Sequence, residues 1–158
     1  MVADQQLRIG DAQAAIPYLE RTFELGAFCN ADAMVALGHA WLATVKAHLG
    51  DLDAAAFSDP LKRAQLGGSR SGEAAVRLQR AIAVAGSPEP DWDLALADFA
   101  AAIALFQSIG ARPDEARATH AYANALEAAG RHEAGTTQLS AAMAMFEEMG
   151  ISPNRAPA

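Results

Sequence analysis

"AAIALFQSIGARP", residues 101–113, recurs forty residues later as "AAMAMFEEMGISP", residues 141–153. Six of the thirteen positions are identical, and three more exchange one flexible aliphatic side chain for another. A fixed period of this size is typical of stacked helical pairs, because one pair alone cannot bury its apolar face. Each copy is therefore predicted to be the second helix of a pair, with Phe106 and Phe146 between units and Gly110 and Gly150 ending the helices.

The composition favours an all-α fold. Of the 158 residues, 52% are hydrophobic, many of them alanine, and only 6% are aromatic. Alanine has the best helix propensity and little bulk, so it suits helices that pack closely. Runs of β-branched and aromatic residues, which strands prefer, are scarce. A chain of this length is expected to form one domain.

Glycine, proline and capping residues divide the chain into helices and short turns. The loops "GGSRSG" and "GSPEP" are expected at residues 67–72 and 86–90, and "SDP" at residues 58–60 is expected to interrupt a helix that begins in "DLDAAAF". Asp59 is the expected cap of the short helix that follows. The predicted helices cover residues 11–25, 30–49, 60–66, 73–85, 91–109, 113–129 and 132–149, and residues 152–158 form a frayed tail.

The pair with the clearest pattern is "EARATHAYANALEAAGRHEAGTTQLSAAMAMFEEMG", residues 115–150, which resembles the tetratricopeptide repeat. The small and large positions of that motif fall on Ala123, Gly130, Gly135, Leu139 and Ala142. Partial copies follow the same pattern in "GDAQAA", "ALGHAW" and "GDLDAA", at residues 10–15, 36–41 and 50–55. The period of forty residues is longer than the period of about 34 residues in the standard motif. This longer period and the helix ending "A-x-A-x-F-x-x-x-G" resemble those of the C-terminal repeat arrays of bacterial signalling ATPases and transcription regulators. These proteins are of the adenylate/guanylate cyclase type and the maltose-activator type.

This resemblance implies a right-handed α–α superhelix of about three and a half to four helical pairs. It implies one repeat domain over residues 1–151, followed by the tail. It also implies a non-catalytic protein-interaction or scaffold module within a larger bacterial regulatory protein, binding a peptide or a partner domain in a concave groove. A small-molecule sensor and a self-association module are the alternatives.

Motifs that would support catalysis or ligand binding do not satisfy their chemical requirements. The loop "GGSRSGE" has Glu73 where a phosphate loop needs lysine. No two of the four histidines have the spacing of metal ligands on one helical face. Cys29 has no histidine or basic neighbour in sequence that would activate it as a nucleophile. We therefore expect no enzyme activity, no metal and no cofactor.

Charge and hydropathy restrict the partners further. The net charge of −7, with scattered lysines and arginines, argues against direct binding of nucleic acid. No apolar stretch is long enough to suggest a membrane span, and the polar N-terminal residues do not resemble a signal peptide. A single cysteine fits the cytoplasm, where disulfides are rare. A protein or peptide is thus the expected partner.

A candidate groove follows from the resemblance, in which the first helix of each pair lines the concave face. In the fourth pair the inward positions fall on Arg117, His120, Asn124 and Glu127, whose spacing puts them on one helical face. The corresponding positions are His39 and Lys46 in the second pair and Arg77 and Arg80 in the third. Arg117 could bind a carboxylate of an extended peptide. An ordinary solvated surface is the alternative interpretation of the same residues.

The first pair is expected to lack most of its first helix, because only nine residues precede "GDAQAA". The apolar face of the helix at residues 11–25, which includes Leu19 and Phe23, would then be only partly covered. We therefore expect either a fragment of a longer array or a homodimer formed through the N-terminal end.

Overall fold

The computed structural model describes residues 14, 16–18, 21 and 32–151. Residues 32–151 form α1 Asp32–His48, a 3-10 helix Ala54–Phe57, α2 Ser58–Leu66, α3 Arg70–Ala85, α4 Trp92–Ser108, α5 Arg112–Ala128 and α6 His132–Glu148. No strand occurs in the described part of the chain, so the predicted all-α class is confirmed. Residues 14, 16–18 and 21 are helical, within the helix expected at 11–25. Most of that expected helix, Leu19 and Phe23 included, lies outside the described residues, as does the tail.

The period of forty residues consists of two half-periods of twenty. Helices α4, α5 and α6 are each 17 residues long and begin at positions 92, 112 and 132. A glycine follows each helix with a left-handed φ, of 69° at Gly110, 75° at Gly130 and 66° at Gly150. The next N–H then donates to the carbonyl oxygen five residues earlier, at 2.8–3.0 Å, on Phe106, Leu126 and Phe146. This glycine cap ends three successive helices in the same way.

The principal contacts between helices join neighbours in the sequence. Helix α1 packs on α2 and α3, and α3 also packs on α2 and α4. Helix α4 packs on α5, α5 packs on α6, and α3 makes a smaller contact with α5. The most extensive contacts are those of α3 with α4 and of α5 with α6. These are the two pairs that the sequence predicted as third and fourth.

The repeated phenylalanines are buried, as the sequence predicted. Phe106 packs in a cluster with alanines of three helices, Ala74 on α3, Ala102 on α4 and Ala118 on α5. Phe146 packs with Ala116 on α5 and Ala142 on α6. All five of these alanines are fully buried, which lets the helix backbones approach closely around the aromatic rings.

The expected loop at residues 67–72 was wrong, because α3 begins at Arg70. Gly68 has a φ of 65° and ends α2, and the next residue already caps α3. There the Ser69 hydroxyl accepts the Gly72 N–H at 3.1 Å. Gly72 is buried in the first turn of α3, so it belongs to the helix rather than to a flexible segment.

The interruption expected at residues 58–60 was also wrong. A 3-10 helix, capped by the Asp53 carboxylate through the Ala55 N–H at 2.9 Å, leads directly into α2. Pro60 lies in the first turn of α2, where its missing N–H costs no helical hydrogen bond. Asp59 is inside the helix and is not its cap, since Phe57 holds that position without a side-chain hydrogen bond.

Candidate functional site

Arg117 and Asn124 lie on the solvent-facing side of α5. The opposite side of this helix carries its buried residues, among them Ala118, Ala125 and Leu126. The Arg117 side chain is 68% exposed, and its ion pair with Asp114, at 3.4 Å, is on the same helix. Such an exposed pair holds its arginine weakly, so the guanidinium is accessible to a ligand.

His120 and Glu127, the other two candidates on α5, turn towards α6. The ring of His120 meets that of Phe146 edge-on, with centroids 6.4 Å apart. Glu127 Oε2 lies 2.8 Å from His132 Nδ1, which donates when that nitrogen carries the proton. A β-carbon at Gly135 would come within 2.7 Å of Glu127 Oε1, so the glutamate side chain lies directly over the α6 backbone. The four candidates of α5 therefore divide between solvent and the α5–α6 contact.

Arg77 and Arg80 are engaged in ion pairs with Asp98 of α4. Arg80 donates to Asp98 from Nε, at 2.5 Å, and from Nη2, at 2.8 Å. Arg77 Nη1 donates to Asp98 Oδ1 at 3.2 Å. The Asp98 side chain is 3% exposed, and the bond to it raises the pKa of the Arg80 guanidinium. These two arginines thus join α3 to α4 and do not present free guanidinium groups.

Glu73 connects the same cluster to α2. Its Oε1 accepts from Arg77 Nη2 at 2.8 Å and from Gln65 Nε2 at 3.0 Å. The hydrogen bond from Gln65, reinforced by Arg77, holds the pKa of the Glu73 carboxyl below its ordinary value. Three helices meet at this polar cluster, which we call the α2–α3–α4 charge cluster.

The two candidates on α1 differ in their surroundings. Partial burial, followed by the charge of Arg63, lowers the pKa of His39, while Asp59 opposes the shift. These two charged neighbours are on α2, so His39 lies on the side of α1 that meets α2. Lys46 is exposed in the last turn of α1. Five of the eight candidates are exposed, namely His39, Lys46, Arg117, Asn124 and Glu127, whereas Arg77, Arg80 and His120 are half-buried.

Sequence reasoning missed a polar contact that occurs twice between successive pairs. Gln65 of α2 donates to Glu73 of α3 at 3.0 Å, and Gln107 of α4 donates to Glu115 of α5 at 3.0 Å. In each case the partners are eight residues apart and bridge the end of one pair and the start of the next. The repeated Gln-x₇-Glu spacing was the sequence signal that could have revealed it.

The described residues offer no group of three or more histidine, cysteine or acidic side chains that could hold a metal ion. Cys29, considered above as a nucleophile, lies outside them. Every buried side-chain nitrogen and oxygen atom in the described part of the chain has a hydrogen-bond partner. Its helices also include none that is long and apolar enough to cross a membrane.

The fold and the exposed side chains define an all-helical protein made of successively packed helical pairs. Comparisons with known protein families, with curated proteins and with solved structures found no match.

Proposed function

We propose that this chain is a tetratricopeptide-like interaction module that binds a peptide or a partner domain. In this proposal the helical pairs stack into a right-handed superhelix, and the chain acts without catalysis in the cytoplasm, as part of a bacterial signalling or transcription-regulatory protein. The contact between α3 and α5, the first helices of two successive pairs, supports such stacking. The repeated Gln–Glu contact at the junctions between pairs supports it as well.

The accessible guanidinium of Arg117 is the observation that carries the binding proposal. Arginine makes paired, charge-assisted hydrogen bonds to a carboxylate, which are stronger than neutral ones. Asn124 lies two turns further along the same face of α5 and can donate to and accept from a peptide backbone. Together they form a polar strip, which we call the α5 strip. An extended peptide with an acidic side chain or a free C-terminal carboxylate matches this strip.

Selection of random peptides on the immobilised chain, followed by titration of the enriched peptides, tests the proposal. Arg117→Ala should weaken binding at least tenfold, since it removes a charge-assisted contact. The melting temperature should hardly change, because an exposed ion pair contributes about 0–1 kcal/mol. Arg131→Ala is the matched control, since it removes an exposed arginine that lies in the turn after α5. Binding that survives Arg117→Ala, or that falls equally in the control, would place the site elsewhere.

A further inference from the structure

The turn after α6 has the same backbone geometry as the turns after α2 and α4. In each turn a glycine with a left-handed φ stands two residues after the helix, and the next N–H donates to the carbonyl oxygen five residues earlier, at 2.9–3.0 Å. After the first two turns the chain forms a helix that packs on the one before, α3 on α2 and α5 on α4. The third turn includes Ile151, the last residue of the described range 32–151. The three glycines are Gly68, Gly110 and Gly150.

The polar contact at the first two junctions has a fixed position relative to the glycine. The glutamine donor lies three residues before the glycine and the glutamate acceptor lies five residues after it, as Gln107 and Glu115 do. After α6 the same two positions hold Glu147 and Arg155. The Glu147 carboxylate makes no ion pair or hydrogen bond with any residue of the described ranges. A carboxylate and a guanidinium at this spacing would make the same bridge with donor and acceptor exchanged.

The apolar residues that follow the glycine also repeat among the three junctions. The residue six positions after the glycine is alanine each time, and it is fully buried in the two helices that the structure describes. The residue eight positions after the glycine is small and apolar each time, and it is buried in the same two helices. Residues 152–158 therefore carry both the polar and the apolar pattern with which α3 and α5 begin. The residues at these positions are Ala74 and Val76, then Ala116 and Ala118, then Ala156 and Ala158.

Helix α6 exposes the surface on which such a segment would pack. Met143 is 43% exposed, whereas Ile103, which stands forty residues earlier on α4, is half-buried. Ile103 packs against the cluster that contains Ala118 of α5. The residue forty positions after Ala118 is Ala158. By this comparison, the residue that would cover Met143 belongs to the same chain.

We propose that residues 152–158 of this chain cover the C-terminal half of α6. The segment runs back along α6 as α5 does along α4, with Arg155 paired to Glu147 and Ala158 against Met143. Charge complementarity favours this occupant, because the cation that Glu147 requires already follows in the sequence at the spacing of the other junctions. The segment thereby shields an apolar surface that would otherwise be available for association. This contact is on a different helix from the α5 strip and does not depend on the peptide binding proposed there.

Disulfide trapping in the full chain tests where the segment lies. Cys29, the single native cysteine, is replaced by serine, and Met143→Cys is combined with Ala158→Cys. The matched control combines Ala144→Cys with Ala158→Cys, because Ala144 is exposed and lies about 100° further around the helix. Under a mild oxidant in dilute solution, the 143–158 disulfide should form within one molecule at least tenfold faster than the 144–158 disulfide. The reason is that a disulfide needs its two Cα atoms within about 7 Å of each other.

Charge reversal tests the polar half of the proposal with the same measurement. Glu147→Arg or Arg155→Glu should each slow formation of the 143–158 disulfide about threefold or more, because like charges then face each other. Combining the two reversals should restore the rate, since the ion pair is formed again with its charges exchanged. Glu133→Arg, an equal change of charge at the other end of α6, is the control and should alter the rate less than twofold. Circular dichroism should show unchanged helicity, because Glu147 and Glu133 are exposed.

Three results would overturn the proposal. Equal rates for the two cysteine pairs would mean that the segment does not lie on this face of α6, which would then be open to a separate polypeptide. A rate that neither charge reversal changes would exclude the pairing of Glu147 with Arg155. A covalent dimer as the main product would mean that a second copy supplies the segment.

Discussion

Replacing Asp98 with asparagine should destabilise the protein more than any change to its exposed ion pairs. The Asp98 side chain is 3% exposed and accepts hydrogen bonds from Arg77 and Arg80. Removing one member of a buried pair typically costs about 3–5 kcal/mol, because a charge is left without compensation. Here the two guanidinium side chains remain 23% and 17% exposed, so water screens part of the loss. We therefore expect about 3 kcal/mol for Asp98→Asn, at the lower end of that range.

Urea titration followed by circular dichroism measures this loss as a shift of the midpoint with an unchanged slope. For a chain of this size, about 3 kcal/mol corresponds to a fall in melting temperature of roughly 6–12 °C. Glu148→Gln is the control, because it breaks an exposed ion pair with Arg112, at 2.6 Å, that should contribute at most about 1 kcal/mol. A loss of under about 1 kcal/mol for Asp98→Asn, or an equal loss in the control, would refute the reasoning.

Phe106→Ala and Phe146→Ala should each cost about 3–5 kcal/mol in urea titrations, whereas Glu147→Ala should cost under about 0.5 kcal/mol; similar losses would contradict burial of the repeated aromatic face. Gly110→Ala should cost about 1–2 kcal/mol through backbone strain alone, since φ is 69° and an added β-carbon meets no atom within 4 Å. The pKa of Glu73 is lower in the folded protein than in the unfolded chain. Its ionised carboxylate therefore stabilises the fold at pH values above the unfolded pKa of about 4.3. This contribution is lost as the pH falls through the folded pKa. The stability difference between the wild type and Glu73→Gln should therefore shrink in a urea series as the pH falls below about 4.3, and a constant difference would contradict the assignment.

The last three helices could be predicted from the sequence to within one residue at each end. Residues 91–109, 113–129 and 132–149 were expected, and α4, α5 and α6 span 92–108, 112–128 and 132–148. The signals here are local and agree with one another. Asp91 caps α4 by accepting the Leu94 N–H at 3.0 Å, and a left-handed glycine follows each helix. In these three helices the glycine after each C-terminus was a sufficient stop signal.

The glycine-rich segment before α3 shows where local signals fail. Gly68 and Gly72 look equivalent in the sequence, yet one ends a helix with a left-handed φ and the other is buried in the first turn of the next. What distinguishes them is the hydroxyl of Ser69, which accepts the Gly72 N–H and thereby starts α3. Counting glycines predicts a loop, whereas the capping hydrogen bond determines where the helix begins.

The candidate groove residues on α3 could not be assigned to a face from the sequence. Asp98 stands within the apolar stretch "LALADFAAAIALF", residues 94–106, and Arg77 and Arg80 were expected to line the groove. Their pairing joins residues 18 and 21 positions apart on two different helices. Such pairing depends on which face of α3 meets which face of α4. The spacing of residues along one helix shows which of them share a face, but it does not show which face contacts the neighbouring helix. Arg117 differs because its exposed face follows from the burial of the opposite side of α5.

The junctions between pairs combine an apolar and a polar repeat, and the two have different physical roles. Alanines and phenylalanine tolerate small sliding of one helix along another, because dispersion contacts have little directionality. A hydrogen bond between an amide and a carboxylate is directional, and it weakens as its distance and angle depart from the preferred values. Gln65–Glu73 and Gln107–Glu115 therefore favour one register of each pair on the next, and the buried apolar faces supply most of the stabilisation. Arg77 of the same helix also donates to Glu73, at 2.8 Å, and so orients the carboxylate that accepts from Gln65 of α2.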